Sequence, residues 1–176
     1  MSPFRLDLIG KAEALIAMCR ARRLMICTAE SCTGGLLSGL LTEIPGSSDV
    51  VERGFVTYSN QAKREELGVP ARLLDCYGAV SMEIARAMAE GALSRSSAAL
   101  AVSVTGIAGP GGGSAEKPVG LVFLGSARRR GSFRGERRLF TGMDRSEVRL
   151  ASVETALALL RAQAEEDAVE GATGGP

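Results

Sequence analysis

Two periods of apolar residues alternate along the chain, and together they predict the order of helices and strands. Residues 6–22 carry apolar side chains at helical spacing, followed by arginines that favour the C-terminal end of a helix. Continuous apolar runs at 24–28 and 98–104 are typical of strands at the centre of a sheet. The helical period returns in four later segments, which are 36–44, 61–67, 82–94 and the stretch from Arg145 to about residue 164.

The second half of the chain departs from this alternation, because two strand-like segments follow one another directly. VGLVFLGSA (119–127) and SFRGERRLF (132–140) flank RRRG, which predicts a hairpin. A further strand is predicted in VERGFVTYSN (51–60), where it ends in a polar turn. Alternating elements that give way to a hairpin predict an α/β fold, a three-layer α/β/α sandwich with a mixed sheet. We expect a single domain over residues 1–164 and a flexible C-terminal tail over 165–176.

The bulk composition limits the classes of protein to consider. The chain has 176 residues, of which 45% are hydrophobic, and this suits one domain of ordinary size. Its apolar stretches are shorter than the ~20 residues that span a bilayer, and charges interrupt its N-terminus, so we expect a soluble cytoplasmic protein. A net charge of +1 and an aromatic content of 4% argue against nucleic acid as a partner.

Histidine is absent from the sequence, and this restricts the available chemistry. A Ser-His-Asp triad, a Cys-His pair and a histidine-ligated zinc are excluded, so a catalytic base must be Lys, Tyr, Asp, Glu or Cys. The four cysteines lack CxxC spacing, which favours free thiols in a reducing compartment.

The motif AESCTGG lies between the first predicted strand and the helix that follows it. Ser31 would there lie beside unpaired N–H groups at the positive end of the helix, which could stabilise an oxyanion. Cys32 is a rival nucleophile, because a helix N-terminus lowers the pKa of a thiol. The alternative is structural: Ser31 or Thr33 caps the helix, while Gly34 and Gly35 allow it to pack against the sheet.

The motif TYSNQAK supplies a candidate base. With Asn60 as N-cap, Lys63 falls at the third helical position, where the helix dipole lowers the pKa of its amine. A neutral lysine can accept a proton from a serine, and burial would have to supply most of the required pKa shift. Tyr58, at the end of the preceding strand, could relay the proton. The alternative is that Lys63 points into solvent.

Two further segments are candidates for substrate binding. The glycine-rich loop SVTGIAGPGGG permits close approach of its backbone to a ligand and lacks the order of a Walker loop; its alternative role is a linker between strands. Arg145, near the start of the last helix, could hold a phosphate, or it could form only a solvated ion pair beside the helix cap. The arginines of the predicted hairpin are expected to form a solvated edge that discourages strand association.

Taken in order, several motifs resemble a known family. AESCTGGLLSGLLTEIPGSS, VTYSNQAKREELGV, YGAVSMEIARAMAEGA, TGIAGPGGG, KPVG and DRSEVR are similar to segments of the C-terminal domain of competence/damage-inducible CinA proteins. The family includes stand-alone nicotinamide mononucleotide deamidases, and the resemblance covers about residues 6–161. It implies hydrolysis of nicotinamide mononucleotide to nicotinic acid mononucleotide and ammonia, in pyridine nucleotide salvage, with no metal and no cofactor. The nucleotide-binding domain of longer CinA proteins has no counterpart in this sequence, so we expect no pyrophosphatase activity.

The resemblance also implies roles for individual residues, on the positions that match the motifs. The catalytic group would be the nucleophile Ser31, its base Lys63 and the adjacent Tyr58. The oxyanion and substrate-binding group, from the motifs and the helix argument together, would be Cys32, Thr33, Gly34, Gly35, Thr105, Gly106 and Arg145. An extra residue, Met143, precedes the final motif and could shift the arginine expected near the phosphate.

Other functions compete with the enzyme hypothesis. A non-catalytic module that binds a ligand or nucleic acid is suggested by the competence association and the arginine-rich hairpin, and its affinity for nucleic acid would fall steeply with salt. A thiol enzyme would depend on Cys32 rather than on Ser31. The expected partners are a small nucleotide substrate and further copies of the chain, because the small residues of 82–94 suit close packing in a homo-oligomer; no membrane is expected.

Overall fold

The computed structural model describes residues 2–166, and its centre is one five-stranded sheet. The strands in chain order are β1 (Ile26–Glu30), β2 (Val51–Val56), β3 (Leu100–Gly106), β4 (Leu121–Arg128) and β5 (Phe133–Leu139). In space their order is β2-β1-β3-β4-β5, with β1 parallel to both of its neighbours and the hairpin of β4 and β5 antiparallel. The predicted mixed sheet is therefore confirmed.

Helices cover both faces of this sheet. They are α1 (Leu6–Ala21), α2 (Leu36–Thr42), α3 (Asn60–Leu67), α4 (Ala71–Tyr77), α5 (Met82–Ser94) and α6 (Arg145–Glu165). One hydrophobic core joins α1, α2 and α6 to one face, and a second core joins α3, α4 and α5 to the other. The described residues thus form the predicted three-layer α/β/α sandwich in one domain.

The apolar runs of the central strands have a simple origin in these two cores. In β3, Val102 contributes to the core under α6, whereas its neighbour Ala101 contributes to the core under α5. Side chains of a strand point alternately to opposite faces, so a strand covered on both sides is apolar at most positions rather than at every second one. The small residues of α5, including Ala85 and Ala89, are also completely buried inside the chain. They are not available as an oligomer interface, and the homo-oligomer stays a prediction.

Several predicted boundaries were wrong by one or two residues. β1 starts at Ile26 because the Leu24 amide still donates to Cys19 at the end of α1. The cap of α3 is Ser59 rather than Asn60: the Ser59 hydroxyl accepts a hydrogen bond from the Ala62 amide, so the helix begins one residue earlier than predicted.

Helix α4 was not predicted at all. Pro70 is its N-cap residue, a place where proline is tolerated because its missing N–H is not needed at a helix start. At the C-terminus α6 runs to Glu165, and residues 167–176 of the predicted tail lie outside the described residues. Within residues 2–166, no helix combines the length and the apolar character needed to cross a membrane.

Candidate active site

The candidate site lies at the C-terminal ends of the three parallel strands. Ser31 follows β1, Tyr58 follows β2, and Gly106 ends β3, so adjacent strands bring together residues that are far apart in sequence. In open α/β sheets ligands characteristically bind at this edge. A cleft of roughly 260 Å³ opens there, and the predicted residues that line it are Ser31, Cys32, Tyr58, Lys63, Thr105, Gly106 and Arg145.

A serine and a lysine meet at the floor of this cleft. Lys63 Nζ lies 2.9 Å from Ser31 Oγ and donates a second hydrogen bond of 2.8 Å to the carbonyl oxygen of Thr57. Ser31 is 8% exposed and Lys63 only 1%. The alternative in which Lys63 points into solvent is therefore wrong. Lys63 lies in the first turn of α3, and its side chain is directed inward to the ends of β1 and β2.

The environment of Lys63 favours its neutral form. Burial lowers the pKa of the amine from 10.5 to about 8, because an ammonium ion that leaves water loses its hydration. No ion pair within residues 2–166 joins Lys63 to a carboxylate that would oppose this effect. When the amine is neutral, its lone pair can accept the Ser31 hydroxyl proton across the same 2.9 Å contact. The pair can therefore generate a serine nucleophile without histidine.

The turn after Ser31 presents free backbone donors, but fewer than the sequence suggested. The Gly34 amide donates to the Ser31 carbonyl oxygen, and the Gly35 amide donates to the carboxylate of Glu30. The amides of Cys32 and Thr33 donate to no oxygen acceptor within the described part of the chain. Of the predicted oxyanion residues, these two retain the N–H groups that could stabilise a negative oxygen beside Ser31.

The thiol of Cys32 does not have the properties expected of a nucleophile. Burial raises its pKa from 9.0 to about 11, the opposite of the expected lowering by a helix N-terminus. The side chain is 6% exposed, so the loss of solvent outweighs the field of the short helix α2. The thiol remains protonated near neutral pH, and the rival nucleophile loses its physical basis.

Tyr58 and Arg145 form the mouth of the cleft. The Arg145 guanidinium donates to the Gly109 carbonyl oxygen at 2.7 Å and to the Tyr58 hydroxyl at 2.9 Å. In residues 2–166 no hydrogen bond joins the Tyr58 hydroxyl to Ser31 or Lys63, so the proposed relay through this tyrosine is not formed in this arrangement. Arg145 does line the cleft although Met143 precedes it, while Asp144 caps α6.

The end of β3 forms part of the wall of the cleft. The Thr105 hydroxyl donates to the Ala79 carbonyl oxygen at 2.7 Å, which holds the segment before α5 against the sheet. Gly106 lies so close to the neighbouring strand that a Cβ there would be 2.7 Å from the Leu121 carbonyl oxygen. These residues shape the wall and leave its interior lined by backbone and small side chains.

Two residues of the site were missed in the sequence. Thr57 supplies the carbonyl oxygen that orients Lys63, and Glu30 supplies a carboxylate that organises the turn around Ser31. The available signal was the position of Glu30, an acidic residue at the end of an otherwise uncharged buried strand. As for cofactors, no group of three or more His, Cys, Asp or Glu side chains in residues 2–166 is arranged to hold a metal ion.

Comparison with known proteins identifies the family. The model of the CinA C-terminal domain matches residues 10–164. The chain belongs to the CinA C-terminal domain family. Among curated relatives, a CinA-like protein of Akkermansia muciniphila is 50% identical over 159 residues, which are 90% of this chain and 38% of the relative. A CinA-like protein of Gemmatimonas aurantiaca is 44% identical over 163 residues, 93% of this chain and 38% of the relative. The chain thus spans little more than a third of these relatives.

Solved structures agree with this assignment. The competence/damage inducible protein CihA of Agrobacterium tumefaciens is 55% identical and superposes with a TM-score of 0.90, covering 92% of this chain and 98% of CihA. A CinA superfamily protein of Escherichia coli is 34% identical with a TM-score of 0.83, covering 90% and 92% of the two chains. The likeness extends over nearly the whole of these shorter CinA proteins.

Proposed function

We propose that this CinA-family chain is an amidohydrolase that converts nicotinamide mononucleotide to nicotinic acid mononucleotide and ammonia, with Ser31 as nucleophile and Lys63 as base. One observation carries the proposal: the buried 2.9 Å contact between Lys63 Nζ and Ser31 Oγ. The lowered pKa of Lys63 supports it, because a base must be neutral before it can accept a proton.

The first half of the reaction would form an acyl-enzyme. Ser31 Oγ attacks the carboxamide carbon while its proton passes to Lys63 Nζ, and the amides of Cys32 and Thr33 stabilise the resulting oxyanion. When the tetrahedral intermediate collapses, the C–N bond breaks and Lys63 returns the proton to the leaving nitrogen. Ammonia departs, and the nicotinoyl group remains as an ester on Ser31.

The second half would release the acid. Water attacks the ester carbon and passes a proton to Lys63, which then returns it to Ser31 Oγ as the ester bond breaks. Nicotinic acid mononucleotide leaves with both carboxylate oxygens, one from the amide and one from water. The enzyme recovers its starting state.

Arg145 supports a phosphorylated substrate. Its guanidinium lines the same cleft, and its hydrogen-bond partners within residues 2–166 are a carbonyl oxygen and a phenol, both of them neutral. A phosphate would be a stronger partner, because charge-assisted hydrogen bonds are about twice as strong as neutral ones. If Arg145 released the Gly109 carbonyl oxygen and the Tyr58 hydroxyl and bound the substrate phosphate at the mouth of the cleft, the amide end of the substrate would be directed toward Ser31.

The test is to incubate nicotinamide mononucleotide with the wild type, Ser31→Ala and Lys63→Ala in the presence of EDTA. We expect the wild type to release equal amounts of ammonia and nicotinic acid mononucleotide, and each variant to lose at least about 10³-fold in kcat. Ser152→Ala, which removes a buried serine in α6, is the matched control and should retain activity. Cys32→Ala should also retain activity. A folded wild type without product, or an active Ser31→Ala, would refute the proposal.

A further inference from the structure

A buried carboxylate lies directly beneath the proposed nucleophile. Glu30 is the last residue of β1 and is completely buried. Its Oε2 accepts hydrogen bonds from the amides of Gly35 and Leu37, each 3.1 Å long. Its Oε1 accepts from the Ser38 amide and the Ser38 hydroxyl, each 2.8 Å long, and from the Thr28 hydroxyl at 3.4 Å. A single side chain therefore binds three of the four amides from Gly35 to Ser38 at the start of α2, and the fourth, that of Leu36, donates to the Thr33 carbonyl oxygen.

This arrangement is unusual for a helix cap. The N-cap residue of α2 is Gly35, which has no side chain, and the first amides of the helix are bound instead by a residue of the preceding strand. No ion pair in residues 2–166 joins Glu30 to a cation, so amides, hydroxyls and the positive end of α2 compensate its buried charge. Such a carboxylate is costly unless every bond is in place.

Glu30 is connected to both members of the Ser31–Lys63 pair. Its side chain holds the segment that follows Ser31. Its own carbonyl oxygen accepts from the Thr57 amide at 2.8 Å, and the Thr57 carbonyl oxygen in turn holds Lys63 Nζ. Glu30 thus helps to position both residues: its side chain holds the turn that follows the nucleophile, and its backbone carbonyl oxygen holds Thr57, which binds the base.

The bonds to Glu30 also select the oxyanion donors. The amides of Gly35, Leu37 and Ser38 are occupied by the carboxylate, and the amides of Cys32 and Thr33 remain. Without these hydrogen bonds to the carboxylate, the start of α2 would be free to rotate, and the N–H groups of Cys32 and Thr33 would change direction with it.

Strand β2 packs closely against the hydrogen bonds around Glu30, and its Gly54 leaves no space for a side chain. Ser38 Oγ lies 2.6 Å from Thr28 Oγ1, and a Cβ added at Gly54 of β2 would be 2.3 Å from Ser38 Oγ and 3.0 Å from Thr28 Oγ1. The Ser38 hydroxyl could avoid this clash only by turning away from the carboxylate. Glycine at position 54 is therefore needed for the hydrogen bond between the Ser38 hydroxyl and the Glu30 carboxylate.

We propose that Glu30 is a positioning residue, whose buried carboxylate fixes the turn between β1 and α2 so that the Ser31 hydroxyl and the Cys32 and Thr33 amides are directed at one reacting carbon. The inference rests on the proposed function for its catalytic consequence, but the geometry of Ser31 can be measured without nicotinamide mononucleotide.

The test compares Glu30→Gln with the wild type in two assays. Glutamine keeps the shape, but its NH₂ group would face backbone N–H donors where an oxygen now accepts. The first assay is phosphonylation of Ser31 by a fluorophosphonate, in which Oγ forms a bond to phosphorus, fluoride leaves and the proton passes to Lys63. The second is turnover of nicotinamide mononucleotide. We expect the labelling rate and kcat to fall about 10²-fold, with KM changed by less than about threefold, because small misplacements of reacting groups have effects of this size.

Two further variants keep the inference testable if Glu30→Gln does not fold. Ser38→Ala removes one hydrogen bond to the carboxylate and leaves the backbone bonds, so the same two rates should fall by a smaller factor of about 3 to 10. Ser152→Ala, in which a buried serine hydroxyl remote from the turn is lost, should leave both rates unchanged.

The outcomes separate this inference from the proposed function. Unchanged labelling and kcat in folded Glu30→Gln and in Ser38→Ala would overturn the inference alone. A wild type that is labelled at Ser31 but does not hydrolyse nicotinamide mononucleotide would overturn the proposed substrate, while slower labelling of the variants would still support Glu30. If Glu30→Gln raised KM and left kcat unchanged, so that kcat/KM fell by the same factor, Glu30 would be assigned to substrate binding and the positioning role would be overturned.

Discussion

The cleft and the β4–β5 hairpin both carry cationic side chains, and these side chains have very different surroundings. In the hairpin, Arg129 donates to three carbonyl oxygens at and beyond the C-terminal end of α5, and Arg134 pairs with Glu166. In the cleft, the amine of Lys63 is buried and contacts one carbonyl oxygen and the hydroxyl of Ser31.

The comparison teaches that the partners of a cation decide its role. Arg129 meets helix-end carbonyls and Arg134 meets a carboxylate while both remain in contact with water, so their charge is stable and they act structurally. Lys63 has lost its water without gaining a carboxylate partner within residues 2–166, so its pKa falls to about 8, as the proposed role of a base requires. Because Arg129 and Arg134 are engaged with the protein itself, these two side chains do not favour the nucleic-acid-binding alternative.

The strongest way to test this contrast is Lys63→Met. The folded-state pKa of about 8 lies below the ordinary value of 10.5, so the protonated lysine destabilises the fold. This penalty is fully present below pH 8 and disappears as the pH rises toward 10.5. We expect Lys63→Met to lose at least about 10³-fold in kcat/KM and to gain up to about 3 kcal/mol in the free energy of unfolding at pH 7.

Denaturant unfolding of the wild type and Lys63→Met at pH 7 and pH 10 measures this effect, with Lys11→Met as the exposed control. The gain in stability should shrink at the higher pH. A variant that is less stable than the wild type at pH 7, by an amount independent of pH, would contradict the argument.

The pH dependence of turnover should report the same group. Since Lys63 must be neutral to accept a proton, kcat/KM should decrease about tenfold for each pH unit below a midpoint near 8. Initial rates of ammonia release between pH 6 and pH 9.5 provide the measurement. A flat profile over this range would exclude Lys63 as the base.

Arg145 should affect binding more than chemistry. Replacement of Arg145 by Met would remove the proposed charge-assisted contact to the phosphate, so KM for nicotinamide mononucleotide should rise about 10- to 100-fold with kcat nearly unchanged. Nicotinamide riboside, which lacks the phosphate, sharpens the comparison, because the wild type and Arg145→Met should process it equally poorly. A loss of kcat without a change in KM would place Arg145 in the chemical step instead.

The smallest effect on activity is expected in the hairpin. Arg129→Met removes three hydrogen bonds to carbonyl oxygens and should lower the free energy of unfolding by about 1–3 kcal/mol while kcat stays unchanged. Arg137 is exposed and has no hydrogen bond or ion pair within residues 2–166, so Arg137→Met should change stability by less than about 0.5 kcal/mol. Equal effects of the two substitutions would remove the distinction between engaged and solvated arginines.

Individual residues show which parts of the candidate site could be predicted from the sequence and which could not. Ser31 and Lys63 could be singled out from local motifs, since each lies beside a helix start where its chemistry is plausible. Glu30 could be noticed only as an acidic residue at the end of a buried strand, and its contacts could not be predicted, because they involve three amides that only the turn into α2 directs toward it. Cys32 was misjudged for a related reason: the field of the helix is a local effect, whereas burial, which raises its pKa, is not.

By itself the sequence determined the order of helices and strands, the mixed α/β architecture and the exclusion of histidine chemistry, because periodicity and composition are local or additive properties of the chain. Only the tertiary structure decided that Lys63 is buried and lies 2.9 Å from a serine 32 positions earlier. The physical reason is that both the contact and the lowered pKa arise from packing α3 against the ends of parallel strands, which no short stretch of sequence contains.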